Sequence, residues 1–90
     1  SILVPNVFSP NNDGINDVFT IKSSFIKSVH GQIFNRWGNL LFEWTHPKGY
    51  WDGRTSSGEL VPAGSYFYVI KYTTLKNEEF ELKGTITLIR

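Results

Sequence analysis

"FELKGTITL", residues 80–88, alternates with a period of two: Phe80, Leu82, Gly84, Ile86 and Leu88 fall on one parity, and Glu81, Lys83, Thr85 and Thr87 on the other. Successive side chains of a strand point to opposite faces, so this pattern predicts a long half-buried β-strand. The eleven residues just upstream, "SYFYVIKYTTL" at 65–75, put apolar side chains on both parities: Tyr66, Tyr68, Ile70 and Tyr72 against Phe67, Val69 and Leu75. That predicts a central strand at least partly covered on both faces. Lys76, Asn77 and Glu78 between the two runs form the expected hairpin tip.

Working outward, Val29–Phe34 and Leu40–Trp44 are two more β-rich runs, separated by "NRWGN" at 35–39. A type I turn through Arg36 and Trp37, with Gly38 supplying the left-handed residue, would join them as a hairpin. Val4–Phe8 and Val18–Lys22 are short strand candidates. Residues 45–64 are mostly turn, with His46-Pro47, Asp52-Gly53, Ser57-Gly58 and Pro62-Ala63-Gly64 leaving room for one or two short strands. Seven Phe, four Tyr and three Trp complete a β-sheet inventory. The expectation is an all-β fold, a small Ig-like antiparallel β-sandwich of about seven strands in a single domain over residues 1–90. Its core should include Phe19, Ile33, Phe42, Trp51, Tyr66, Tyr68, Leu82, Ile86 and Leu88. Trp51 should plug one end, with its indole N–H bonded at the rim.

Ninety residues allow one core and no second domain to hold a cleft. Nine basic residues against eight acidic ones, scattered singly, argue against nucleic acid and anionic membrane as partners. Cysteine is absent, which removes disulfides and thiolate metal sites. No segment approaches the ~20 apolar residues of a membrane span. Ser1 is followed by no basic region and apolar stretch of the signal-peptide type, so an exported parent would carry this chain as one of its pieces. No catalytic residue is assigned: His30 and His46 stand beside no nucleophile elbow, and two histidines without a third ligand make a poor zinc site. Glu78, Glu79 and Glu81 read as solvated charge at a hairpin tip.

Two features carry binding chemistry. "SPNNDGINDVF", residues 9–19, offers oxygen ligands at Asn11, Asp13 and Asp17 around Gly14. The EF-hand template fails, since Thr20 stands where a bidentate Glu belongs. What is left is a calcium loop of another kind or a series of Asx-turns; no other cofactor is expected. Trp37, flanked by Arg36 and Gly38, sits at a hairpin tip, where an indole is either a partner anchor or a lid on the core.

In order along the chain, "VPNVFSPNNDGINDVFTI" (4–21), "IFNRWGNLLFE" (33–43), "YWDG" (50–53), "GELVPAGSYFYVI" (58–70) and "KGTITLIR" (83–90) resemble the gliding-motility-associated C-terminal domain of Bacteroidota, also called the type B C-terminal sorting domain of the type IX secretion system. Asn12 departs from the family's more usual Gly. The resemblance implies a non-catalytic, C-terminal address that sends a large surface adhesin or secreted enzyme to the cell surface or medium. Its partners would be outer-membrane components of the secretion system and a dedicated outer-membrane partner protein, with the domain itself monomeric. Recognition would fall on turns and edges: the tip at Arg36, Trp37 and Gly38, the Asn11–Asp17 loop, and the last strand with Lys83 and Arg90. The competing reading is an adhesive or carbohydrate-binding Ig-like surface module presenting Trp37, Trp44 and Tyr50. A module like that of flagellar hook-capping proteins, which the stretch from Trp51 onward also resembles, is a third.

Overall fold

The structure is a computed structural model and describes residues 4–12, 14, 17–21 and 23–90. The period-two stretch forms β5 (Glu79–Leu88), and the run before it forms β4 (Gly64–Thr74). They pair antiparallel over their whole length, from Gly64 opposite Leu88 to Thr73 opposite Glu79. β2 (Ile26–Phe34) pairs with the other edge of β4, and β3 (Leu40–Trp44) pairs with β2. β1 (Val7–Phe8) runs parallel to the end of β5. The sheet order is therefore β1-β5-β4-β2-β3, with β4 at its centre.

Alternation along these strands gathers one apolar face. Ile33 and Val29 of β2, Tyr66 and Ile70 of β4, and Ile86 and Leu88 of β5 are buried on it. Two glycines there are required by packing, because a Cβ on Gly31 would enter the Trp44 ring and one on Gly84 would lie 2.6 Å from the Tyr68 hydroxyl. Aromatic rings thus cover the backbone where a side chain is missing.

Chain segments with little regular structure cover this face. Phe19, Ile21, Trp51 and Val61 are buried over the sheet, with Phe8 of the edge strand β1 beside them. Trp51 contacts Phe8 and Tyr66, each at 5.2 Å between ring centroids, and Phe19 lies 5.1 Å from Tyr68. Such pairs contribute about 0.5–1.5 kcal/mol each beyond their buried area. The expected rim bond of Trp51 is present, its indole N–H donating to the Arg54 carbonyl at 2.8 Å.

Several expectations need correction. The all-β expectation is met among the described residues by five strands in one sheet, fewer than the seven or so expected. The segment expected as strand Val18–Lys22 contributes a single bridge, Phe19 with Trp51, and Lys22 lies outside the described residues. Residues 45–64 add only one further bridge, Arg54 with Leu60. The reason is local: Pro47, Gly49, Gly53, Gly58 and Pro62 recur too closely for a ladder to propagate. The second face of β4 is covered only in part, with Phe67 46% exposed and Val69 half-buried. Phe42, Tyr68 and Leu82 pack against the core half-buried. Trp44, expected in an exposed sugar platform, is only 7% exposed, held against Phe42 and Phe19.

Candidate recognition surface

Three tips of the molecule are built on one five-residue turn: Asn35–Asn39, Thr55–Glu59 and Thr74–Glu78. In each, the carbonyl of the first residue accepts the N–H of the fourth, at 3.0, 2.9 and 2.9 Å for Gly38, Gly58 and Asn77. That fourth residue is left-handed, with φ of 83°, 91° and 62°. The first residue's N–H then donates to the fifth residue's carbonyl, and its side-chain oxygen (Asn35 Oδ1, Thr55 Oγ1, Thr74 Oγ1) accepts the fifth residue's N–H. The expected type I turn with Gly38 left-handed is thus found, twice repeated.

What differs between the tips is the central pair. Ser56-Ser57 and Leu75-Lys76 occupy the places that Arg36-Trp37 occupy in the first turn. The turn itself needs no aromatic residue. Trp37 is nonetheless there, 73% exposed, so the lid reading is ruled out. The Arg36 guanidinium carbon lies 4.6 Å from its ring centroid. A cation–π pair of this kind contributes about 0.5–1 kcal/mol at an exposed site and restrains both side chains.

Beside this tip lies a groove of about 650 Å³. Trp37 and Leu41 form one wall, and the continuous run Val61–Phe67 forms the other. The second wall is fixed from behind. The Tyr66 hydroxyl donates to the Pro62 carbonyl, and the Arg90 guanidinium donates to the Val61 carbonyl at 2.9 and 3.1 Å and to the Gly53 carbonyl at 3.2 Å. Burial pushes the Tyr66 phenol above its ordinary value of 10.0, an effect partly offset by the Arg90 charge.

Arg90 therefore spends its hydrogen bonds on its own chain, as a brace behind the groove. Lys83 lies elsewhere, on the open face of β5, paired with Glu81 at 3.3 Å. The Glu81 carboxylate also reaches Lys71, and His30 bonds Glu43 at 3.0 Å, which gives the expected cross-strand explanation of that histidine. His46 accepts the Lys48 N–H at a turn. Leu41, Pro62 and Phe67 were missed as surface residues. Phe67 had a signal, because its parity on β4 opposes that of Tyr66 and Tyr68.

In the Asn/Asp loop, the Asp17 carboxylate accepts the Gly14 N–H at 2.7 Å, and the Asn11 N–H donates to the Ser9 carbonyl at 2.8 Å. Asn12 has φ 63°, the left-handed region in which Gly is at ease and Asn is tolerated. Asp13 lies outside the described residues. Among the described ones, no three His, Cys, Asp or Glu side chains are grouped to hold a metal ion. A second cleft, of about 530 Å³, lies at the far end of the sheet between Phe25, Tyr72, Leu75 and Phe80, with Lys76 and Glu78 both on its rim.

No helix among the described residues is long and apolar enough to cross a membrane. Compared with known families, residues 2–88 match the family described as CHU_C, type IX secretion signal domain. No curated protein matches the chain. The match spans nearly the whole chain, which therefore belongs to this family of secretion signals; its role is to bring about export by the type IX secretion system, in contact with that system.

Proposed function

We propose that this type IX secretion signal is read at its Arg36-Trp37 hairpin, and that it performs no chemistry of its own. Its cargo would be a large adhesin or secreted enzyme, delivered to the cell surface or the medium. The reader would be an outer-membrane component of the system, with a dedicated outer-membrane partner, acting on a monomeric domain.

One observation carries this reading: Trp37 is 73% exposed on a turn whose hydrogen bonds are formed equally well at two other tips without an aromatic residue. An exposed indole with an Arg beside it is the side-chain chemistry enriched at protein–protein hot spots. The adhesive alternative loses support, because Trp44 is buried and no longer extends an aromatic platform.

We infer further that the fold is an Ig-like sandwich. The order β5-β4-β2-β3 corresponds to strands G, F, C and C′ of an Ig-like sandwich. The Tyr66 hydroxyl bonded to a carbonyl four residues upstream resembles a tyrosine corner. The mutual Phe19–Trp51 backbone bonds, 2.7 and 2.8 Å, would then be what survives of the second sheet.

Trp37→Ala tests the reading. The side chain buries little and loses mainly its pairing with Arg36, so stability should fall by no more than ~1 kcal/mol. Export of a periplasm-directed reporter carrying the variant domain should be lost. Wild-type export from a folded variant would move recognition to the Asn/Asp loop or to the last strand.

A further inference from the structure

We propose that the groove beside Trp37 takes an extended peptide segment of its partner in which an acidic side chain is flanked by apolar ones. This rests on the hairpin being the surface that is read, and adds the chemistry of what reads it.

Charge is the first argument. Among the described residues that line the groove, Arg36 is the only charged one and none is acidic. The carboxylates that the described residues do use lie elsewhere: Glu81 serves Lys71 and Lys83, Glu43 serves His30, and Glu59 is bonded to Ser57. Arg36 forms no ion pair among the described residues and lies over the Trp37 ring. The guanidinium over the indole has no carboxylate of its own among the described residues, and its fork of N–H groups matches a carboxylate in bidentate geometry.

Shape and polarity give the rest. Trp37, Leu41, Pro62 and Phe67 offer apolar surface on both walls, which suits apolar side chains on either side of the acid. The far wall is a continuous backbone run, along which an extended chain can lie. Its carbonyls are partly occupied, Pro62 by the Tyr66 hydroxyl and Val61 by Arg90, so the wall is set before the partner arrives. Such preorganisation lowers the cost of binding. The same bonds make Arg90 a positioning residue of this site. The far cleft between Phe25 and Phe80 is the more apolar of the two, but Lys76 and Glu78 both line it, so its charge selects no partner.

The test uses the 90-residue chain and three fluorescein-labelled peptides that alternate Leu and Phe with Asp, with Ser or with Lys. Binding is read by anisotropy, and its site by backbone amide shifts. The Asp peptide should bind at least about tenfold more tightly than the Ser peptide, a difference of about 1.4 kcal/mol. The Lys peptide should bind more weakly still, with shifts confined to residues 35–41 and 61–67. Arg36→Gln should remove the preference for Asp over Ser while the chain remains folded. Equal binding of the Asp and Ser peptides, preference for Lys, no binding of any peptide, or shifts at the far cleft would each overturn the proposal. None of these results bears on whether Trp37→Ala abolishes export, so the acidic partner can fail while the hairpin reading stands.

Discussion

Asn12 shows how a departure from the family pattern can be absorbed by one residue's conformational tolerance. With φ at 63° it occupies a region that costs most L-residues about 1–2 kcal/mol, and Asn offsets part of that with its short polar side chain. Asn12→Gly should therefore leave melting unchanged or raise it slightly, and Asn12→Val should lower it. The reverse order, measured by thermal denaturation, would contradict the backbone assignment. Tyr66 gives a second test. Burial raises its phenol above 10.0 in the folded chain, so folding favours the protonated form. The stabilisation is complete below the unfolded value near 10 and is lost as pH rises through the folded one. Alkaline titration should thus destabilise the wild type more steeply than Tyr66→Phe. At neutral pH that variant should be less stable by about 0.5–1.5 kcal/mol for the lost bond to Pro62.

At the scale of elements, the two hairpins were legible because each of their signals is local. Leu40–Trp44 and the type I turn before it follow from "NRWGN" alone, and β5 follows from strict alternation over Phe80–Leu88. The layer over the sheet was not legible in this way. Phe19 and Trp51 were expected in the core, and are buried there, but their pairing across more than thirty residues has no local signal, and Val61 is buried by tertiary packing with no periodic run around it. Trp44 misled for a related reason: what buries it is the absence of side chains at Gly31 and Gly49, which sequence spacing does not announce. The recognition tip was legible as a turn, but its groove was not, because Phe67 and Pro62 come from a different hairpin. Deleting Lys83–Arg90 should abolish export by unfolding the domain. It removes Ile86 and Leu88, each worth roughly 1.5–3 kcal/mol of burial, six of the ten β4–β5 residue pairs, and the Arg90 brace. A deleted chain that still melts cooperatively would contradict the placement of β5 in the core.

The molecule is a five-stranded sheet whose buried face is sealed by aromatic residues, with the proposed address at one end. The calcium reading of Asn11, Asp13 and Asp17 is a separate whole-molecule prediction. A bound ion would raise stability as RT ln(1 + [L]/Kd), about 2.7 kcal/mol at a hundredfold excess over Kd. Identical melting in millimolar calcium and in chelator would leave Asx-turns as the loop's only chemistry. The central claim, that these ninety residues are by themselves a sufficient type IX secretion signal, is tested most directly by fusing residues 1–90 behind a periplasm-directed reporter in a bacterium that has the type IX machinery, with the outer-membrane partner coexpressed, and measuring reporter outside the cell. The account predicts reporter at the surface or in the medium, and none from a host lacking the machinery. A folded fusion retained in the periplasm of the competent host would contradict it.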